Sequence, residues 1–176
     1  MEQAEYTHTQ HGHFHWLLFV VGGCMAAAAT WGLGELVLET DAPPPPGDWV
    51  AFGVLLGFGL LVMIFGFCVI TLTVTGDADR LTLTYGVLPL MRATFAYKDI
   101  DSEQVEVDRT RFIDGWGIHW IPWRGWTYNL WGFRCVRLKH LGRTIRIGTD
   151  DPEGLRDYLA DRVRKTREIH KPSDAD

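Results

Sequence analysis

The first 79 residues of this 176-residue chain contain no lysine and no arginine. All 17 basic residues lie at Arg80 or later, so the net charge of -5 averages two unlike parts of the chain. Residues 1–76 hold six acids, whereas residues 77–176 hold sixteen acids and all seventeen bases. A long segment without basic side chains is typical of membrane-embedded sequence, because Lys and Arg are retained on the cytoplasmic side.

Cysteine is also scarce, with three residues and no CxxC spacing, which disfavours a zinc site and a disulfide framework. The chain has no P-loop, no GxSxG, no HExxH and no glycine-rich dinucleotide motif after a strand. The acids of one strand-like segment alternate irregularly and are interpreted as its solvent face; they are Asp99, Asp101, Glu103, Glu106 and Asp108. We therefore predict a protein that is not an enzyme and has no cofactor.

Two long apolar runs, Phe14–Leu38 and Trp49–Val69, predict membrane-spanning helices. A bilayer core is crossed by about 20 apolar helical residues, and both runs are apolar on all sides, unlike a surface helix. The alternatives are a pair of buried core helices and a cleaved signal peptide, although the first run lacks the positive start of such a peptide. The preferred interpretation is a transmembrane hairpin over residues 14–69.

The loop of this hairpin, residues 39–48, is short and contains four consecutive prolines. No basic residue occurs in the loop and seventeen follow the second run, so the positive-inside rule places the loop outside and both termini in the cytoplasm. The tryptophans at the span ends suit the membrane interface; they are Trp16, Trp31 and Trp49. The predicted location is a bacterial inner membrane, with residues 1–13 as a His-rich cytosolic tail.

Small residues four positions apart recur within both spans, at Gly22 and Ala26 and at Gly53 and Gly57. Small residues let helix backbones approach closely in lipid, where packing is a main source of association. We expect these faces to meet, either within the hairpin or between subunits.

The cytosolic part, residues 70–167, is predicted to be α+β and mainly β. Ile70–Thr75 and Leu81–Tyr85 alternate apolar and polar residues around a Gly76–Asp79 turn, which indicates a hairpin. Further strands are predicted at Met91–Tyr97, Val105–Arg109, Arg134–Lys139 and Thr144–Ile147. A helix then starts at an Asp150–Glu153 capping box or at Asp151–Pro152, with Leu155, Tyr158, Leu159 and Val163 on its buried face. The tail 168–176 is predicted to be disordered.

Two segments carry a resemblance to a known family. Gly86–Ser102, with a glycine turn, an arginine strand and the Asp99–Ile100 pair, resembles a stretch of bacterial pleckstrin-homology-like (PH-like) domains. Gly142–Glu153 is similar to small bacterial membrane proteins that attach such a domain to two spans. The resemblance covers Ile70–Arg167 and implies a PH-like antiparallel partial barrel, closed by the C-terminal helix, that binds a ligand or partner.

Five of the eight tryptophans fall within sixteen residues of the segment Phe112–Phe133; they are Trp116, Trp120, Trp123, Trp126 and Trp131. Indole favours half-wet places such as protein interfaces and the headgroup layer, and Arg124 lies among these rings. We predict that these six residues form a membrane or partner surface. The alternatives are that the rings fill the core or stack on single-stranded nucleic acid, although the near-neutral charge of residues 77–176 gives the latter little support. No nucleic-acid partner is predicted.

The N-terminal histidines His8, His11, His13 and His15 have a density that can bind Zn, Ni or Cu. The favoured function is nevertheless a non-enzymatic membrane protein that binds a protein or an anionic lipid at the cytoplasmic surface, as an oligomer or within a larger assembly. One alternative is an accessory subunit that packs through its transmembrane hairpin. A second is a metal-responsive protein that uses the histidine tract.

Overall fold

A computed structural model describes residues 5–39, 43–87, 90–111 and 116–170. The chain divides into two compact units. A helical unit spans His13–Ile70, and a β-rich unit contains the residues before His13 and after Ile70. The chain thus contributes to the β-rich unit twice, on either side of the helices.

The helical unit consists of α1, His15–Glu39, and α2, Pro46–Cys68. Both helices are long and apolar enough to span a membrane. α2 begins three residues before the predicted Trp49 because Pro46 starts the helix, where its fixed φ is already helical and its missing N–H is not needed. The two helices form a closely packed hairpin, since a Cβ added to Gly22 would lie 2.6 Å from the carbonyl oxygen of Gly59.

The first sheet of the β-rich unit has four antiparallel strands in sequential order. They are β1 Tyr6–His11, β2 Thr71–Gly76, β3 Arg80–Tyr85 and β4 Met91–Ala96. Residues 6–11, part of the predicted N-terminal tail, therefore form an edge strand instead. The local sequence of residues 6–11 does not predict this strand, because its partner lies about 60 residues later in the chain, with His11 opposite Thr71.

The second sheet has five strands in the order β5-β8-β9-β7-β6. They are β5 Glu106–Arg109, β6 Gly117–Ile121, β7 Gly125–Asn129, β8 Arg134–His140 and β9 Arg143–Gly148. Its pairings are antiparallel except between β7 and β9, which run parallel. The prediction of a fully antiparallel arrangement is wrong at this pair. The β6–β7 hairpin lies next to the β8–β9 hairpin, and β7 is the strand that pairs with β9.

The final helix, α3, spans Pro152–His170. Its N-terminus follows the Asp151–Pro152 alternative, since the Asp151 carboxylate accepts a hydrogen bond from the backbone N–H of Gly154 at 3.1 Å. α3 continues three residues beyond the predicted end at Arg167, and the rest of the predicted disordered tail, residues 171–176, lies outside the described residues.

The core contains residues from both sheets and α3; the fully buried side chains include Leu72, Leu81, Leu83, Val136, Leu138, Ile147, Leu155, Leu159 and Val163. No strand of one sheet pairs with a strand of the other within the described part of the chain. The sheets consequently do not close into a barrel. The observed class is α+β: two long helices, two sheets and a C-terminal helix.

Candidate interaction surface

The β6–β7 hairpin presents an apolar face that emerges from the core. Trp120 lies opposite Trp126, and Ile118 lies opposite Tyr128. Because side chains directly opposite in a sheet share a face, these four form one surface, here called the aromatic shelf. On β9 this same face carries buried Ile145 and Ile147, but at the edge strand β6 the exposed fractions reach 38% for Ile118 and 58% for Trp120.

Tyr128 marks the limit of the buried region. Its ring meets the ring of Phe95 from β4 edge to face, with centroids 5.6 Å apart. The first sheet therefore covers the second as far as β7, and β6 extends past it. An apolar sheet face that no described element covers is a candidate interaction surface.

Two turns lie together beside the shelf. Strands β7 and β9 run parallel, so the turns that precede them, residues 122–124 and 141–142, are at the same end of the sheet. We call them the paired turns. Each has one exposed apolar residue in the left-handed region: Trp123, fully exposed with φ 62°, and Leu141, 68% exposed with φ 50°. This conformation is uncommon for large side chains. Both residues therefore have an unfavourable backbone conformation, and burial does not compensate for it.

A cavity of about 490 Å³ lies between the shelf and the paired turns. Its walls are formed by three indoles, one guanidinium and two smaller residues, namely Trp120, Trp123, Trp126, Arg143, Gly125 and Thr144. The backbone at its base is tightly packed: Gly125 has φ 88°, and a Cβ there would lie 2.1 Å from the carbonyl oxygen of Thr144. The cavity combines flat aromatic surface with one cationic group.

The remaining two tryptophans of the segment form a separate pair. Trp116 and Trp131 stack with centroids 5.1 Å apart and an interplanar angle of 18°. They flank the end of the hairpin where Gly117 pairs with Asn129, opposite to the Ile121–Gly125 end that carries the turn. The side-chain amide of Gln10 in β1 donates to the carbonyl oxygen of Trp131 at 2.9 Å.

The structure thus divides the predicted surface into two clusters at opposite ends of one hairpin. All five rings are at least 36% exposed, which excludes the alternative that they fill the core. The part of the predicted segment at residues 112–115 lies outside the described residues.

The strands around the shelf are strongly basic. Residues 116–149 contain six Lys and Arg and no Asp or Glu. Acids from outside this stretch neutralise part of the charge: Arg134 pairs with Glu153 of α3, and Arg137 pairs with Glu106 of β5. Within the described residues, no ion pair involves Arg143.

Arg146 is the buried member of this basic group. Its Nε donates to the Asp108 carboxylate at 3.2 Å, and its guanidinium also donates to the carbonyl oxygen of Arg124 in the turn. Partial burial alone would raise the pKa of Asp108, but the backbone N–H of Arg109 and the guanidinium of Arg146 outweigh it and lower that pKa. Asp108 is therefore a structural counter-charge, which corrects its interpretation as part of a purely solvent-facing set.

Only some of the small residues of the two helices lie at the contact between α1 and α2. Gly22 and Ala26 of α1 face α2 at Gly59: a Cβ on Gly59 would lie 2.8 Å from the Gly22 carbonyl oxygen and 3.1 Å from the Ala26 nitrogen. Gly53 and Gly57 have open space around them instead. The GxxxG pair of α2 therefore lies away from α1.

The two N-terminal histidines of the β-rich unit do not form one site. His8 and His11 are three residues apart in β1 and point to opposite faces, and His8 pairs with Asp150. His13 and His15 belong to the helical unit. Among the described residues, no group of three or more His, Cys, Asp or Glu is arranged to hold a metal ion.

Comparison with known proteins adds no relative: no protein-family model, curated protein or solved structure matches the chain.

Proposed function

We propose that the chain is a non-enzymatic integral membrane protein whose β-rich unit is a binding module at the membrane surface. The single observation that carries the proposal is the exposed aromatic shelf with its basic surroundings, in a unit whose chain continues directly into two apolar helices. Exposed aromatic and arginine side chains are the residue types enriched at binding surfaces.

The exposure of the helices supports insertion in a bilayer. Large apolar side chains are exposed on both, including Val20 and Trp31 on α1 and Val54 and Phe58 on α2. A soluble protein would bury such residues, whereas lipid solvates them. α2, with 23 residues, has a length of roughly 35 Å, enough for a hydrocarbon core of about 30 Å.

The pairing of β1 with β2 supports the proposed topology. β1 precedes α1 and β2 follows α2, yet His11 pairs with Thr71. Two strands that pair with each other lie on the same side of a membrane. The chain between them must therefore cross the membrane an even number of times, which agrees with two spanning helices. All basic residues are on that side, which favours the cytoplasmic side of a bacterial inner membrane.

The PH-like assignment belongs to the proposal as well. It is supported by the antiparallel meander β2–β4, by a second sheet packed against it, and by a C-terminal helix with three buried apolar residues. The open edges of the two sheets distinguish this arrangement from a closed barrel. Asp108, a titratable group of this unit, serves as a structural partner of Arg146, which fits a role in recognition.

Site-specific photo-cross-linking in native membranes tests the binding function. A photoreactive phenylalanine analogue replaces Trp120 or Trp123 in the full chain, and Thr94, exposed on β4, is the matched control position. We expect adducts, with protein or with lipid, at both tryptophan positions and few or none at position 94. Equal labelling at all three positions would refute a dedicated surface.

A second candidate function rests on Gly53 and Gly57. Because this GxxxG pair of α2 is not used against α1, it is open to another helix, as an accessory subunit of a larger membrane complex or an oligomer requires. Replacing both glycines by leucine should abolish co-purification or reduce the native mass to that of one chain, and replacing Gly34, which also has open space around it, should not. An unchanged assembly in the double variant would exclude this route.

A further inference from the structure

We infer that the paired turns insert into an anionic lipid surface, with Trp123 and Leu141 entering the headgroup layer while Arg143 binds lipid phosphate. This inference rests on the proposed function, because it names the partner of that surface. The proposed partner is lipid, and the experiment distinguishes it from a protein partner.

The shape of the site favours insertion into lipid. The parallel pairing of β7 and β9 aligns the two turns, and each has its most exposed apolar residue at its tip. Both tips protrude, since Trp123 is fully exposed and Leu141 is 68% exposed, and protruding apolar side chains readily enter a soft headgroup layer. Indole in particular partitions to the boundary between headgroups and acyl chains.

The charge around the paired turns favours an anionic surface. An arginine follows each apolar tip: Arg124 directly after Trp123, and Arg143 two residues after Leu141. The 34 residues 116–149 contain no acid that would repel an anionic surface. Arg143 also lines the cavity beside the indoles, a position in which a phosphate bound to the guanidinium would be flanked by Trp120 and Trp126.

The β6–β7 turn is held in place by hydrogen bonds. The β6–β7 turn is closed by a hydrogen bond from the backbone N–H of Arg124 to the carbonyl oxygen of Ile121 at 3.1 Å. The Arg124 carbonyl oxygen in turn accepts from the buried Arg146. The turn is therefore fixed before any ligand binds, which reduces the entropy lost on binding.

The backbone also offers a substitution that separates binding from folding. Asn adopts positive φ more readily than Trp or Leu, so Trp123→Asn and Leu141→Asn remove the apolar tips while relieving the turns. Arg143→Gln removes the charge at the cavity. Trp116→Phe, at the opposite end of the hairpin, is the matched aromatic control.

The experiment uses the full chain in nanodiscs, with Cys24 replaced by Ala and an environment-sensitive fluorophore on an introduced cysteine at Leu141 or Thr94. Residues Cys68 and Cys135 are buried and stay. Discs contain phosphatidylcholine alone or with about 30% phosphatidylglycerol, and phosphatidylglycerol vesicles are also added to neutral discs. These arms supply anionic lipid both around the helices and from a separate surface.

We expect a blue shift and quenching by spin-labelled lipid at position 141, in either anionic arm, and no response at position 94. For unlabelled chains, Arg143→Gln should weaken binding to anionic vesicles roughly fivefold. Trp123→Asn should weaken it by more, while Trp116→Phe leaves it unchanged.

Absence of a response in both anionic arms would overturn the lipid inference. If Trp120 and Trp123 still cross-link to a protein in native membranes, the binding function stands and the lipid partner is wrong. If there is neither lipid response nor cross-linking, both proposals fail.

Discussion

The ring of Tyr6 stacks on the ring of Tyr158, with centroids 4.9 Å apart and an interplanar angle of 23°. Tyr6 belongs to β1 and Tyr158 to α3, so the contact joins the two ends of the chain across the helical insertion. Gly76 makes room for it, because a Cβ there would lie 2.4 Å from the Tyr158 ring. Strand β1, which precedes the first helix, is therefore part of the β-rich unit.

Tyr6→Ala should lower the free energy of unfolding of the β-rich unit by about 1–2 kcal/mol, since it removes an aromatic pair and half-buried apolar area. Thr7→Ala, on the opposite face of β1, should change it by less than about 0.5 kcal/mol. Pulse proteolysis of the full chain in detergent measures both. Equal effects would show that the stacked pair contributes nothing specific.

Residues 12–70 should be replaceable by a two-residue Asn-Gly turn. His11 and Thr71 are paired, so a type I′ turn connects them with matching twist. We expect a water-soluble, cooperatively unfolding domain with the circular dichroism of a β-rich protein. A matched chain that begins at Thr71 and lacks β1 should be less stable. Aggregation of the Asn-Gly chain alone would mean that the helices are required for folding.

Local periodicity was sufficient to predict the two long helices, α3 and six of the nine strands found in the described residues, because each of these has its own pattern. It failed for β1, whose partner is distant in sequence, and for β6 and β7, where the abundance of glycine and tryptophan obscured the alternation. Trp120 and Trp126 are nevertheless directly opposite one another. The two tryptophans on either side of the Pro122–Gly125 turn are the sequence pattern that indicates this hairpin.

Only part of the geometry of the candidate site could be predicted from the sequence. Trp123 and Arg124 are adjacent in sequence, but Arg143 reaches the same cavity only through the parallel β7–β9 pairing. Single-sequence patterns carry no signal for a parallel neighbour. The division between the Trp116–Trp131 pair and the paired turns likewise depends on hairpin register.

Asp108→Ala should lower the free energy of unfolding by about 2–3 kcal/mol, because it leaves the buried guanidinium of Arg146 without its carboxylate partner. Glu106→Ala, which removes an exposed partner of Arg137, should cost less than about 1 kcal/mol. Chemical denaturation followed by tryptophan fluorescence distinguishes the two. If the two variants are equally stable, the Asp108–Arg146 pair contributes no more to the free energy of unfolding than the exposed Glu106–Arg137 pair.

Tyr85→Phe tests the effect of burial at alkaline pH. Burial raises the pKa of Tyr85 above its ordinary value near 10, and Tyr128 adds to the effect. Above pH 10 the unfolded chain loses this proton while the folded chain keeps it, so folding stability falls as pH rises. The variant lacks that loss, and its advantage over the wild type should be larger at pH 10.5 than at pH 8.

The same substitution has a neutral-pH consequence. The Tyr85 hydroxyl is buried and has no hydrogen-bond partner among the described residues. Its removal should therefore leave stability at pH 8 unchanged or raise it by up to about 1 kcal/mol. A large destabilisation at pH 8 would indicate a hydrogen bond that the variant has lost.

Gly22→Leu should separate α1 from α2 in the helical unit. The Gly22–Gly59 contact brings backbone atoms together, and leucine there meets the Gly59 carbonyl oxygen and the Met63 side chain, so accommodation requires the helices to move apart. Such overpacking typically costs about 1–3 kcal/mol. Gly23→Leu is the matched control, because nothing lies within 4 Å of a Cβ at Gly23. Disulfide formation between cysteines placed on the two helices should slow several-fold in the first variant only, and equal rates would show that the backbones do not meet at this glycine.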